Sequence, residues 1–293
     1  MSTTLSTLRT ETYSILNDLQ TSNVYSTSFI DQTLNDQQAQ VCALKKWSFL
    51  RSKKLFVAAD DTTLTTTITT ASTQIVVGSI TNFETSGALW IDHDVIDYTD
   101  ASTTTITGVT NIGVGHDSGV KVYPLVLIPT DYERMPVLLK KSSGSSRFGE
   151  VLYVDEMSWD DFRVGNGQIQ NKFTVVNDES SDSLYIRMEN VAVGDDMVFY
   201  YLKKPTVMTD DSDTATIPDP YALKILPKLA AYKAMILRND NLEGLGTIIE
   251  KEAKEELLAM QKYYGSREES WSKLIQPTYR SGMGGGNRTR IRI

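Results

Sequence analysis

Cysteine and histidine are nearly absent from this 293-residue chain: one Cys, at position 42, and two His, at 93 and 116. A single cysteine excludes an internal disulfide and points to a reducing compartment. With no histidine near it, Cys42 reads as a small core residue rather than a nucleophile. Basic charge is also short: 29 Lys and Arg against 37 Asp and Glu, a net charge of −8. That argues against a protein that grips nucleic acid by neutralising phosphates. No apolar run approaches the roughly 20 residues of a membrane span. The polar start MSTTLSTLRTE lacks the apolar region of a signal peptide. A soluble, cytosolic protein is expected.

What is present falls into compositional blocks. From Thr3 to Arg51, Leu5, Leu8, Thr12, Ile15, Leu16 and Leu19 recur at helical spacing. Ile30, Leu34, Val41 and Leu44 then mark a second helix, with Ser28 as its cap. From Ala58 to Tyr123 threonine dominates, and short β-rich runs alternate with glycine and asparagine turns, predicting a small all-β unit inserted into a host domain. Larger strands resume from Leu125 to Leu202, interrupted by a helical turn at Trp159–Phe162 and a tight turn at Gly165–Gly167. The stretch from Val198 to Asp240 holds a strand, the acidic loop Asp210–Asp213, a proline-marked helix start at Pro218–Pro220 and an amphipathic helix along Leu223, Leu226, Ala230 and Leu237. A second helix follows, with a narrow seam at Leu245, Ile249, Ala253, Leu257 and Met260, closed by Gly265. After the glycines at 284–286, Arg288, Arg290, Ile291, Arg292 and Ile293 alternate basic and apolar residues, the pattern of a strand seeking an edge.

The expected fold is α+β: a helical core of N-terminal helices and a C-terminal hairpin, a β-rich body, and the inserted all-β unit. Its boundaries are 1–57 with 124–265 for the core, 58–123 for the insert and 266–293 for an extended tail. An insert of this kind lies at the periphery, so excising residues 60–122 would leave assembly intact.

Catalytic chemistry finds no support. Asp92-His93-Asp94 are adjacent in a strand, point to alternating faces and cannot converge on a metal; His116 reads as a turn residue. Asp210–Asp213 lacks the glycine and terminal glutamate of a calcium loop. The glycine run has no strand before it and no Lys-Ser/Thr after it, so it is not a phosphate loop. No serine elbow, Cys–His pair or paired carboxylates occur. The reading is no enzyme, no cofactor and no metal.

The order of elements resembles the adaptor, or head-to-tail connector, proteins of tailed double-stranded DNA bacteriophages. Leu34-Asn35-Asp36 through Trp47-Ser48-Phe49-Leu50 is similar to the segment that closes their N-terminal helices. Tyr201, Pro205, Thr209-Asp210-Asp211-Ser212-Asp213, Ile217-Pro218 and Tyr221, then Leu229-Ala230-Ala231-Tyr232, resemble their acidic passage and alanine-rich helix. About three-quarters of the chain is covered. Separately, Val77–Val122 is similar to a small β module of phage structural proteins. It carries Phe83, Ser86-Gly87, Leu89-Trp90-Ile91-Asp92, Val95-Ile96-Asp97-Tyr98, Ile106-Thr107-Gly108-Val109, His116 and Gly119. It departs from that pattern at Asp94, where Glu is usual, and at Asn111–Gly115, which replaces the usual turn.

The resemblance implies a twelve-subunit ring beneath the portal, in the neck of the virion after assembly in the host cytoplasm. Its partners would be the portal protein, neighbouring adaptor subunits and a downstream tail protein, with genome DNA passing through unread. Arg288, Arg290, Ile291, Arg292 and Ile293 would meet the portal; Leu245, Ile249, Leu257, Tyr263 and Tyr264 would meet neighbouring subunits. The alternatives are a carbohydrate- or receptor-binding tail protein, prompted by Trp90 and the threonine-rich insert, and a tail-completion or terminator ring.

Overall fold

The computed structural model describes residues 3–16, 24–142, 144–154, 171–178, 181–238 and 242–265. The turns expected at Trp159–Phe162 and Gly165–Gly167, and the tail 266–293, lie outside these. The chain divides into two compact units, Met1–Phe49 with Val207–Ile293, and Leu50–Thr206.

The first unit is helical. It contains α1 (Leu5–Leu16), α2 (Thr27–Ala43), α3 (Tyr221–Arg238) and α4 (Thr247–Gly265), the last preceded by a π-helical turn at Leu242–Gly246. The α2 cap is Ser26, whose hydroxyl accepts from Phe29 N at 3.3 Å, two residues before the serine expected from sequence. α3 is the central helix and packs against α1, α2 and α4. Its alanines at 222, 230, 231 and 234 are fully buried and let three neighbours approach its backbone. The buried stripe is therefore rotated from the expected one, with Leu223 and Leu237 facing out.

The second unit is built of strands: β1 (Arg51–Val57), β2 (Thr62–Thr63), β3 (Gln74–Val76), β4 (Gly87–Ile91), β5 (Asp94–Tyr98), β6 (Asp100–Ser102), β7 (Thr105–Thr107), β8 (Lys121–Leu127), β9 (Tyr132–Lys141), β10 (Gly149–Tyr153), β11 (Lys172–Asp178), β12 (Ser183–Glu189) and β13 (Asp196–Lys203). Ten of them form one sheet in the order β1-β13-β9-β10-β11-β12-β8-β4-β5, with β2 beside β8; β3-β7-β6 form a second. Among the described residues, the β10–β11 pairing alone is parallel.

Period-two alternation lets single strands serve two cores. On β12, Ile186 and Met188 join a cluster with Leu138, Phe173, Met197 and Phe199, while Tyr185 joins another with Ala88, Trp90, Tyr123, Leu125 and Val176. A third cluster, from Leu64 to Val122, fills the threonine-rich region.

One correction follows. The fold is β-rich and is not organised by a helical core; the helices occupy the chain ends while the ten-stranded sheet dominates the middle. Helices at both ends of a sequence look like a frame, but the long ladder is what the β-branched runs build once they pair. The threonine-rich region shares a strand with the sheet that follows it. β8 crosses residues 123–124 and pairs with β12 through Tyr185–Leu127 and Ile186–Val126. Excising residues 60–122 would strip Ala88 and Trp90 from Tyr185 and Val176.

Candidate functional site

The residues of the acidic passage turn out to be a seam that closes the helical unit. Asn35 on α2 donates to Met208 O at 2.9 Å and accepts from Met208 N at 2.9 Å. One primary amide thus replaces the two bonds a paired strand residue would supply. Gln38 Oε1 accepts from Thr216 N at 2.8 Å. At the other edge, Leu5 N donates to Asp213 O at 2.8 Å and Ala215 N to Thr3 O at 3.1 Å. Arg9 on α1 clamps Asp31 of α2 at 2.7 Å and Asp211 of the passage at 2.8 Å. Asp213 holds its own turn: its Oδ2 accepts from Thr209 N at 2.7 Å and Asp210 N at 2.8 Å. Those backbone donors pull its carboxyl below the usual range. Asp211 and Asp213 are thus occupied with structure.

Trp47 is buried, and its indole N–H donates to Val41 O at 2.7 Å just past the end of α2. Phe49 stacks on it at 5.8 Å and meets Tyr264 edge-on at 5.5 Å. Cys42 is also fully buried.

The expected interface residues separate into two groups. Ile249 is 6 % exposed and, with Ala253 and Met260, forms the seam of α4 against α3. Leu257 is half-buried, and Tyr264 sits in an aromatic cluster with Phe49, Tyr221 and Tyr263. Leu245 and Tyr263 face out, at 53 % and 61 % exposure. Sequence reasoning missed Ile248 and Leu258, both more than half exposed on the same hairpin. Their signal was an apolar residue off the seam of an otherwise polar helix. Flanking pairs Lys224–Glu256 and Lys228–Glu252, at 3.2 and 2.7 Å, tie α3 to α4. Arg288, Arg290, Ile291, Arg292 and Ile293 lie outside the described residues.

In the β unit, the Asp92-His93-Asp94 stretch is a turn rather than a continuous strand. Asp92 and His93 have φ of 44° and 75° and join β4 to β5 between the paired Ile91 and Asp94. Asp92 and Asp94 reach the same partner, His116, at 3.6 and 3.0 Å. Asp94 Oδ2 also accepts from Gly113 N and Val114 N, each at 3.0 Å. A Cβ on Gly113 would lie 2.8 Å from Asp94 Oδ1, so a larger residue there would push Asp94 from its place. His116 is 3 % exposed, with its backbone paired to Ile68 in both directions. A catalytic Asp–His pair presents its imidazole to a nucleophile; this one is closed in and acts as a staple. Sequence could not show this, because the partners are 22 residues apart.

Among the described residues no group of three or more His, Cys, Asp or Glu side chains is placed to hold a metal ion. No described helix is long and apolar enough to cross a membrane. Compared with family models and with curated proteins, the chain matches none.

Proposed function

We propose that this protein is a head-to-tail connector of a tailed double-stranded DNA bacteriophage, a ring-forming adaptor that sits under the portal, extends the DNA channel and offers the tail its attachment platform. The observation that carries the reading is a coincidence of residues. Of those that resemble the connector family, the segments Leu34–Phe49, Thr209–Tyr221 and Leu229–Tyr232 are scattered in sequence yet fall in one unit, while Leu50, Tyr201 and Pro205 belong to the other. Asn35 bonds Met208 across 173 positions, Trp47 and Ile217 are buried, and the alanine-rich α3 forms the hub. Residues selected for one assembly would be expected to converge in this way.

The hairpin supplies surface for a neighbour. Leu245, Ile248, Leu258 and Tyr263 are each more than half exposed, and exposed aliphatic and aromatic residues on one hairpin favour protein contact. A closed ring of identical subunits needs a heterologous contact, one face against a different one. The net charge of −8 suits a conduit through which DNA slides without many phosphate contacts. The basic-apolar end, Arg288 to Ile293, would bury its isoleucines on the portal and pair its arginines with acidic groups.

The test is to mix the purified protein with portal and count subunits in class-averaged images. A twelvefold ring in register with the portal is expected; a free trimer would refute the connector reading. Deleting residues 282–293 should abolish portal attachment, and unchanged attachment would refute the role of the tail alone. The carbohydrate-binding alternative rested on Trp90 and the threonine-rich region; Trp90 is 4 % exposed and so is not the exposed aromatic that reading expects.

A further inference from the structure

Strand β1 forms one end of the ten-stranded sheet, with β13 on one flank. Its register places Ala58, just past its end, opposite Asp195, and Ala58 N donates to Asp195 O at 2.9 Å. Alternation in an antiparallel ladder then turns the N–H and C=O of Ser52, Lys54 and Phe56 toward β13, and those of Lys53, Leu55 and Val57 outward. Among the described residues no strand pairs with that outer flank. The side chains agree with this alternation. Leu55 and Val57 are 64 % and 47 % exposed and share a face with Lys53, which is exposed as well. Lys54 points to the opposite face, where its Nζ donates to Leu127 O at 2.6 Å.

Proteins ordinarily blunt such an edge with proline, a bulge or a very short strand. β1 uses none of these: it is seven residues long, contains no proline and keeps one register with β13 throughout. Arg51 and Lys53 set positive charge ahead of two apolar side chains on the same face. That charge repels a basic strand and admits an acidic one, so it selects an occupant rather than barring all. The β1 of a second copy would bring Arg51, Lys53 and Lys54 against the same cations. The chain's own run from Arg288 to Ile293 is basic too.

We infer that β1 is a docking edge for an extended acidic and apolar segment of a partner protein, which adds to the sheet as a further strand. Its backbone bonds the outward groups of Lys53, Leu55 and Val57, its alternate apolar side chains cover Leu55 and Val57, and a carboxylate faces Lys53. This edge lies in the β unit, whereas the ring contact was assigned to the helical hairpin, so the two readings stand or fall separately.

The test uses the full-length protein and a fluorescein-labelled peptide, SVTVTETE, whose antiparallel alignment sets valines on Val57 and Leu55 and a glutamate on Lys53. Fluorescence anisotropy should show saturable binding with a Kd on the order of 100 µM. The charge-reversed peptide SVTVTKTK should bind at least about tenfold more weakly. Lys53→Glu should reverse that preference, which a folding defect alone would not do. Leu55→Pro should abolish binding yet leave the ladder to β13 intact, because the N–H it removes faces outward; circular dichroism checks that the strands persist. No binding of SVTVTETE by about 2 mM, equal affinity for the two peptides, or unchanged affinity in Leu55→Pro would overturn the assignment. A dimer of the free protein that Leu55→Pro dissolves would overturn it in favour of a second copy.

Discussion

The two units solve the same problem, fastening distant parts of a chain together, by different means. In Leu50–Thr206 the fastening is the backbone itself: β1 pairs with β13 over seven successive residue pairs, from Arg51–Leu202 to Val57–Asp196. Any one side chain contributes packing, but the ladder does not depend on its identity. In the helical unit, extended segment 207–217 has no strand to pair with for most of its length. Beside the backbone bonds of Asp211, Asp213 and Ala215 to residues 3–6, two of its residues are met by single side chains: Met208 by Asn35 and Thr216 by Gln38. The difference teaches that a polar residue on a helix can carry long-range topology. Its cost is that topology then rests on single amides, which substitution removes outright.

The largest effect expected is in the β unit and tests its dependence on volume. Phe199 is fully buried and stacks on Tyr201 at 5.6 Å. Phe199→Ala should cost about 3–5 kcal/mol in chemical denaturation, whereas Phe199→Leu should cost under ~1.5 kcal/mol, since a hydrophobic swap of similar size leaves the ladder intact. Comparable losses in both variants would mean that the strand depends on one ring, and the contrast would fail.

The helical unit should respond oppositely, to chemistry at constant size. Asn35→Leu nearly preserves volume yet leaves the N–H and C=O of the buried Met208 without their partner. About 2–3 kcal/mol should be lost, with hydrogen exchange quickening at residues 207–217 ahead of the strands. Asn35→Asp should fare little better, because a carboxylate oxygen would face Met208 O where the amide now donates. A loss below ~0.5 kcal/mol in Asn35→Leu would reduce the seam to ornament.

The smallest effect refines the account of the β unit. Burial raises the Asp61 carboxyl from 3.8 to about 6, against the pull of Lys121. A raised carboxyl favours the folded state while protonated, so this contribution is fully present below about pH 3.8 and is lost as pH rises through 6. Asp61 is partly exposed, and screening trims the effect to about 1 kcal/mol. Asp61→Asn should match the parent below pH 4 and exceed its stability above pH 6, read from denaturation midpoints across that range. Identical pH profiles for the two proteins would refute the assignment.

Much of the secondary structure was legible. Ala88–Ile91, Val95–Tyr98, Lys172–Asn177 and Met197–Leu202 lie within or nearly coincide with β4, β5, β11 and β13, since β-branched and aromatic runs between turn residues carry a local signal. β1 was hidden by Arg51, Lys53 and Lys54, charges that an edge strand tolerates because one flank is open. β6 was hidden because Asp100 and Ser102 read as turn formers. Pairing was not legible at all. Nothing local to His116 names Asp94, and nothing local to Asn35 names Met208. Arg187 left no local trace: a cation between Ile186 and Met188 reads as the solvent face of an alternating strand, and its burial comes from Trp90 and Tyr123 on other strands.

The bond between Asn35 and Met208 also sets a timetable. The ribosome delivers α1 and α2 early, but the groups that Asn35 must meet emerge only after the whole of Leu50–Thr206. At about 5–20 residues per second that delay is on the order of ten to thirty seconds. Through that interval the first two helices wait with their apolar faces uncovered and α3 not yet made. The nascent chain is therefore most vulnerable at α1 and α2, and a chaperone that shields those two helices would guard the step on which the helical unit depends.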